Sequence, residues 1–246
     1  MKPYQAEAVI LHVHEWNGSD KQVSLFSREF GKIVAIAYGA KYSKNRLAAG
    51  TQAFSHVDVI LQPGRSYETL KQCEVRTSFR AIREDLTSLA YTSLVAELTL
   101  ELYPEREPEP LVFDLLLNSF HLIMERNARI AAMATAWQLL AMAGYRPETE
   151  HCVVCGSPIV YPAIFDSQAG GVVCKRCGRD SGMSMMDEPV SRFIQRMLTL
   201  NLQEPERFSV SAEVLLQAEK LLLNYLLQYL EKPLQSLAFI RTISTV

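Results

Sequence analysis

Two cysteine pairs of identical spacing place the strongest constraint on how this chain can fold. Cys152 and Cys155 form the first pair, Cys174 and Cys177 form the second, and eighteen residues separate the inner two. Two residues between thiolates let one tight turn present both sulfurs to a single ion, and two such turns supply the four tetrahedral ligands that zinc accepts. The spacing therefore predicts one structural zinc ion per chain.

Two other chemistries fit the paired cysteines less well. Residues 1–10 lack the apolar stretch of a signal peptide, so we expect a reducing cytoplasm, where disulfides rarely persist. A redox pair would not require a second pair of the same spacing. Because four thiolates leave no open coordination position, we expect the metal to stabilise the fold rather than to react, with Lys175, Arg176 and Arg179 offsetting its negative charge.

Charge is distributed unevenly along the chain. The formal net charge is −2, but residues 1–80 hold eleven Lys or Arg against seven Asp or Glu, whereas the remainder holds fourteen against twenty. Only the first part has the balance expected of a nucleic-acid surface. At 246 residues and 48% hydrophobic, the chain can bury substantial cores, and polar residues interrupt its longest apolar stretches, so no membrane span is expected.

The first 80 residues show short β-type segments at close spacing, bounded by turn residues. In the first segment Val9, Leu11 and Val13 alternate with polar residues that include His12 and His14, which we expect on the outer face of a half-buried strand. Five short strands suit a small closed barrel such as an OB-fold. The expected strands are Glu7 to His14, Gln22 to Ser27, Ile33 to Tyr38, Phe54 to Leu61 and Tyr67 to Val75.

After Phe79 the apolar spacing becomes helical, which makes the fold class α+β: an N-terminal five-stranded OB-fold barrel, then an α-helical domain with an inserted four-cysteine zinc finger. The helices are expected near Leu86 to Leu98, Leu111 to Arg126, Ala128 to Ala143, Asp187 to Leu200 and Ser211 to Glu231. The corresponding domains are 1–80 for the barrel, 81–148 and 183–246 for the two helical parts, and 149–182 for the zinc finger.

The loop after the third strand is the candidate nucleic-acid site. Lys41, Lys44 and Arg46 can neutralise phosphates, and a ring such as Tyr42 or Trp16 can stack on a base. An ordinary solvated loop is the alternative interpretation. Three further cations close to neighbouring turns could extend the same patch, namely Lys21, Arg28 and Lys32.

Catalytic motifs give no firm signal. The sequence contains no phosphate-binding P-loop, dinucleotide fingerprint, zinc-protease motif or nucleophile elbow. Glu97 and Glu101 lie one helical turn apart, but surface or interhelical roles are much commoner for such a pair. We therefore expect a protein that is not an enzyme.

The order of several segments resembles the RecO recombination mediators of bacteria over nearly the whole length. The resemblance rests on segments before and around the basic loop and on those that lead into the cysteine module. These segments are Ala8 to Leu11, Leu25 to Lys32, Tyr38 to Lys41, Leu139 to Pro147 and Gly170 to Cys174.

The resemblance implies an OB-fold, a helical domain with a zinc finger, and no turnover of a small substrate. It implies binding of single- and double-stranded DNA, annealing of complementary strands, and cooperation with RecR in helping RecA displace the single-strand-binding protein SSB. It also implies a helical-domain pocket for the acidic tail of SSB, for which Arg126 and Arg129 are the candidate cations, and a nucleoid-associated place in the cytoplasm. The alternative is an adaptor whose helical part recruits proteins while the barrel makes only auxiliary DNA contacts.

Overall fold

The computed structural model describes residues 2–178, 184–230 and 232–244, which fall into two compact units. Unit 1 comprises Met1–Ala132 and Leu234–Val246, and unit 2 comprises Met133–Pro233. The division of the chain at residues 80, 148 and 182 stays a prediction.

Five strands of unit 1 close into the expected barrel, in the order β1-β2-β3-β5-β4. Neighbouring strands are antiparallel except β3 and β5, which pair in parallel. The predicted OB-fold barrel is confirmed, with strand ends shifted by at most a few residues. The strands are β1 Tyr4–Trp16, β2 Asp20–Ser27, β3 Gly31–Ala37, β4 His56–Gln62 and β5 Glu68–Thr77.

A bulge in β1 changes which residues face the barrel interior. Ala8 and Ile10 lie in the core, the register with β2 shifts between Ile10 and His12, and Val13 is the next β1 residue packed against the core. A bulge adds one residue to a strand and so reverses the alternation beyond it. His12 and His14 are exposed as expected, but for a reason that simple alternation does not supply.

The predicted helices are present, together with short elements that the sequence pattern did not indicate. Asp85 caps α3 through Ser88 N (2.7 Å), Pro110 opens α4, and Ser211 caps α7 through Val214 N (3.3 Å). The predicted end of the last long helix, Glu231, lies outside the described residues. The helices are α1 Arg46–Gly50, α2 Arg80–Glu84, α3 Leu86–Leu102, α4 Pro110–Glu125, α5 Ala128–Met142, α6 Glu188–Thr199, α7 Ala212–Tyr229 and α8 Gln235–Ser244, of which α1, α2 and α8 were not predicted.

The connection between α3 and α4 runs along the start of β3, where β5 does not pair. Arg106 N donates to Lys32 O at 3.1 Å, which supplies a partner to this edge of the barrel. The Arg106 guanidinium also meets the carboxylate of Glu68, which is only 6% exposed and accepts a hydrogen bond from the Tyr4 hydroxyl. A buried carboxylate requires such partners, so this contact holds the connection to the barrel.

Unit 2 packs α6, α7 and the second half of α5 with a small sheet in the order β7-β6-β8. Trp137 and Phe165 are buried against Tyr225, with ring centroids 5.6 Å away in each case. The strands are β6 Ala163–Asp166, β7 Gly171–Val173 and β8 Ser184–Met186. Among the described helices of both units, none combines the length and apolarity needed to cross a membrane.

The close approach of the α3–α4 connection predicts that Gly31→Ala destabilises unit 1. A Cβ at Gly31 would stand 1.9 Å from Glu107 O, and φ is +65°, whereas Gly18 has φ of +72° but nothing within 4 Å of its Cβ position. Gly18→Ala should therefore cost about 1 kcal/mol for backbone strain alone. We expect Gly31→Ala to cost about 1 to 3 kcal/mol more because of the clash, measured by urea unfolding. Equal losses for the two variants would contradict this packing.

Candidate metal centre and nucleic-acid surface

The four cysteines of unit 2 meet at one point. Cys152 and Cys155 lie in a turn before β6, Cys174 and Cys177 lie in the turn after β7, and Val153 N donates to Val172 O (3.0 Å) between the two segments. Their sulfurs all lie within 4.8 Å of one another. Two of them, Cys155 Sγ and Cys174 Sγ, are 3.9 Å apart, close to the separation of about 3.8 Å expected for thiolates on a tetrahedral zinc ion.

Donors around the sulfurs favour the thiolate form at particular positions. Ser157 Oγ lies 3.0 Å from Cys155 Sγ, and this hydrogen bond is the main reason that the pKa of Cys155 falls to about 5. Cys174 N lies 3.4 Å from Cys152 Sγ and lowers the pKa of Cys152. The pKa of Cys177 rises to about 12, chiefly through its contact with Cys155. The Ser157 hydroxyl therefore favours the thiolate form of Cys155, which is exposed.

Cations beside the centre are only partly described. Arg176 Nη2 lies 3.8 Å from Cys155 Sγ, as its predicted role of offsetting charge requires, while Lys175 is exposed. Arg179 lies outside the described residues. Four converging thiols with these donors can hold one metal ion, and a complete protein ligand set would leave it no open position for a reactant.

The basic loop of unit 1 lies between β3 and α1 and is anchored to the β1–β2 turn. Gly39 N donates to Asp20 Oδ1 (2.8 Å) and Lys41 N donates to Ser19 O (3.0 Å). The Lys41 ammonium pairs with the exposed Glu15 at 2.8 Å. The four predicted residues are all exposed, namely Lys41, Tyr42 and Lys44 in the loop and Arg46 at the start of α1.

The three cations predicted to extend the patch are bonded to acceptors inside unit 1. Lys21 Nζ donates to Thr51 O at 3.1 Å, and burial lowers the pKa of this lysine. Lys32 Nζ donates to Leu100 O at 2.8 Å. These contacts hold strands to neighbouring elements, and a DNA-binding role for either residue stays a prediction.

Arg28 has the most elaborate set of internal partners of the three. Its guanidinium pairs with Asp114 and with Glu7 (3.2 Å), and it lies over the ring of Phe113, 4.6 Å from the centroid. These contacts join β2 to α4, and they raise the pKa of Arg28, chiefly through the hydrogen bond to Asp114. Its participation in DNA binding also stays a prediction.

The structure shows a row of rings on β1 that the sequence did not predict as a binding surface. Trp16 is the one member that was named as a ring able to stack on a base. His12 and His14 have centroids 6.5 Å apart, His14 and Trp16 are 5.9 Å apart, and Trp16 meets Tyr67 at 5.4 Å. We call these four residues the ring row. The alternation of His12, His14 and Trp16 was the available signal, whereas Tyr67 is distant in sequence.

The two candidate partner-binding arginines lie where α4 ends and α5 begins. Arg126 is exposed, and its backbone N–H donates to Leu122 O (2.9 Å), while Arg129 is half-buried in the first turn of α5. Their proposed contact with a partner stays a prediction.

A closed five-stranded barrel with an exposed cationic loop places the chain in the OB-fold class, whose barrels commonly bind oligonucleotides or oligosaccharides. Residues 1–79 match the family described as Recombination protein O N terminal, and residues 83–238 match Recombination protein O C terminal. The chain therefore belongs to the RecO family of DNA repair proteins, which confirms the resemblance and supports a role in recombinational repair.

Similar proteins extend over nearly the same length. The DNA repair protein RecO of Symbiobacterium thermophilum is 35% identical over 249 residues, covering 99% of this chain and 98% of its own. The protein of the same name from Pelotomaculum thermopropionicum is 32% identical, with 98% and 94% covered. That of Halalkalibacterium halodurans is 30% identical, with 96% and 94% covered.

The contact between Ser157 and Cys155 predicts that Ser157→Ala weakens metal binding. Loss of the hydroxyl should raise the pKa of Cys155, so protons compete better with the metal and the loss should grow as pH falls. We expect about a tenfold lower affinity for Zn²⁺ at neutral pH, measured by competition with a chromogenic chelator. Ser167→Ala, a half-buried serine of the β6–β7 turn, is the control. Identical pH profiles for the two variants would contradict a role for this hydrogen bond.

Proposed function

We propose that this protein is a recombination mediator that binds single- and double-stranded DNA and anneals complementary strands. With RecR it helps RecA to load onto DNA coated by SSB, and it carries out no catalysis. The observation that carries the proposal is the exposed basic loop on an OB barrel of the RecO family. Acting on chromosomal DNA places it in the cytoplasm, associated with the nucleoid.

Annealing requires affinity for DNA that does not depend on sequence. Contacts with base edges would restrict which strands could pair, whereas phosphate contacts are the same for every sequence. Lys44 and Arg46 present exposed charges, and Lys41 is held by a solvent-exposed ion pair with Glu15 that salt screens and that a phosphate can replace. The loop is therefore suited to hold two strands without selecting between sequences.

The metal is proposed to be one zinc ion per chain, held by Cys152, Cys155, Cys174 and Cys177. A set of four thiolates favours zinc over the harder cations that prefer oxygen ligands. Bound zinc would supply folding energy to the β6–β7 segment, and Ser157 and Arg176 would stabilise its thiolate ligand Cys155.

We assign the protein partners from the charges on the surface and from membership of the RecO family. The acidic tail of SSB is proposed to bind near Arg126 and Arg129, because two cations at the α4–α5 junction suit an acidic peptide. RecR and, indirectly, RecA complete the proposed set of partners.

An adaptor remains the second candidate, since α7 exposes Leu216 and Leu227. In that case the helical part would recruit proteins and DNA contact would be auxiliary. An adaptor of this kind would keep its partner-dependent activity after the basic loop is reversed in charge, whereas the proposed mediator would lose it.

Reversal of the loop charges provides the main test of the DNA site. We expect Lys41→Glu, Lys44→Glu and Arg46→Glu together to lower affinity for single-stranded DNA at least tenfold. Each lost phosphate contact should also make the dependence of log affinity on log salt less steep by about 0.7. Fluorescence anisotropy over a salt series measures both quantities.

The control carries the same change in charge on exposed cations of unit 2, namely Arg207→Glu, Lys220→Glu and Lys232→Glu. It should bind DNA nearly as the unchanged protein does. Annealing of SSB-coated complementary oligonucleotides then tests DNA and partner functions together. Full annealing by the loop variant would refute the proposed site.

Replacement of the metal ligand Cys174 by Ser should separate stability from DNA binding. We expect zinc content to fall from one ion per chain and the melting temperature of unit 2 to drop, because metal binding is coupled to folding of the module. Affinity for DNA should stay within about threefold at a temperature where the variant is folded, because the basic loop belongs to unit 1. Cys73→Ser, the cysteine outside the module, should keep its zinc. If Cys174→Ser lost annealing without losing stability, the assignment of a structural role to the metal centre and of DNA binding to the basic loop would be reversed.

A further inference from the structure

The ring row is a continuous series of rings on the outside of the barrel. His12 and His14 are exposed, Trp16 is half-buried, and Tyr67 is 42% exposed. Consecutive centroids lie 6.5, 5.9 and 5.4 Å apart, so each ring meets the next from the middle of β1 to the β4–β5 turn. Neighbouring rings are tilted by 58°, 53° and 67°, so they offer a continuous row of ring faces and edges rather than isolated side chains.

The barrel core does not account for these rings. Beyond the bulge, Val13 supplies the inward side chain of β1, pairs with Val23 of β2 and packs against the barrel core. Aromatic residues at exposed strand positions leave apolar surface in contact with water, and they add nothing to the packing of this core. The bulge thus places three consecutive outward positions of β1 on the surface, and all three carry rings.

The surroundings of the row indicate what it binds. At one end Tyr67 borders a surface groove of about 750 Å³ whose lining includes the cations Lys2, Arg65 and Arg106 and the carboxylates Glu68 and Glu105. Near Trp16, the β1–β2 turn anchors the basic loop, and Glu15, between two members of the row in sequence, pairs with Lys41. Cations therefore lie near the end of the row formed by Trp16 and Tyr67, whereas the carboxylate of Glu97 lies near His12 at the other end.

We propose that the ring row stacks on unpaired bases and so forms the part of the DNA surface that is specific for single strands. This inference rests on the proposed DNA-binding function and adds a division of labour to it. Aromatic side chains stack on any base, so the contact remains independent of sequence. In a duplex the base faces are occupied by neighbouring pairs, and only the phosphates remain for Lys41, Lys44 and Arg46.

The first experiment compares ring variants on two probes, an oligothymidylate and a blunt duplex of the same length. We expect Trp16→Ala and Tyr67→Ala each to lower affinity for the oligothymidylate about 5-fold to 100-fold, with an unchanged salt slope, and to leave affinity for the duplex within about twofold. Trp16→Phe, which keeps a ring, should retain most of the affinity. Tyr145→Ala in unit 2, with a similar exposure of 39%, is the control.

The second experiment uses fluorescence of the full chain, which contains two tryptophans. Trp137 is fully buried in unit 2, so stacking should quench only Trp16. We expect the oligothymidylate to quench the unchanged protein, the duplex to have little effect, and Trp16→Phe to abolish the response. The quenching itself is measured on the unchanged protein, and Trp16→Phe serves to assign it.

Opposite results would overturn the inference separately from the proposed function. If Trp16→Ala and Tyr67→Ala bound the oligothymidylate normally, or lost affinity for the duplex equally, the row would not be specific for single strands, although the mediator function would stand. Quenching that persisted in Trp16→Phe would contradict stacking on Trp16. If the charge-reversed loop variant bound both probes normally, the proposed DNA site itself would fail.

Discussion

The buried carboxylate of Glu68, together with the Tyr4 hydroxyl and the Arg106 guanidinium that meet it, holds the α3–α4 connection to the barrel of unit 1. A carboxylate that is 6% exposed would be strongly destabilising without a partner, and the guanidinium and the Tyr4 hydroxyl supply two. Arg106 has φ of +67°, a left-handed conformation that costs a non-glycine residue about 1 to 2 kcal/mol. The pairing offsets that strain and fixes the α3–α4 connection against β3.

This arrangement decides which parts of the barrel remain open. The connection covers the unpaired start of β3, and Phe26 beside it is buried against Tyr103 at the end of α3. Arg28 and Asp114 then hold α4 to the same end of β2. Asn17 and Gly18 of the β1–β2 turn, the charged residues of the basic loop and most of the ring row are left exposed, with Trp16 half-buried. The candidate DNA surface is thus the part of the barrel that helical packing leaves uncovered, and the four-thiol centre belongs to the other unit.

Much of the fold was predictable because its signals are local. Alternating apolar residues and turn glycines located five strands, and the change to helical spacing located five of the helices. The Cys-x2-Cys pairs indicated a shared centre, since each turn positions its own two sulfurs and only the β6–β7 hairpin had to bring the turns together. The short α1 was not predicted because a single turn capped by Asn45 has no apolar periodicity to recognise.

By itself the sequence determined the types of element, the two cysteine turns and the position of the cationic loop, since these depend on neighbours within a few residues. Only the tertiary structure decided which charges are available. The sequence alone does not distinguish the cations of Lys21, Arg28 and Lys32 from those of the basic loop. In the structure they are hydrogen-bonded to Thr51, Asp114 and Leu100, acceptors that lie 30, 86 and 68 residues away along the chain. The bulge in β1 likewise places His12, His14 and Trp16 in one outward-facing row. Its position follows from pairing with β2 and not from the alternation of β1 alone.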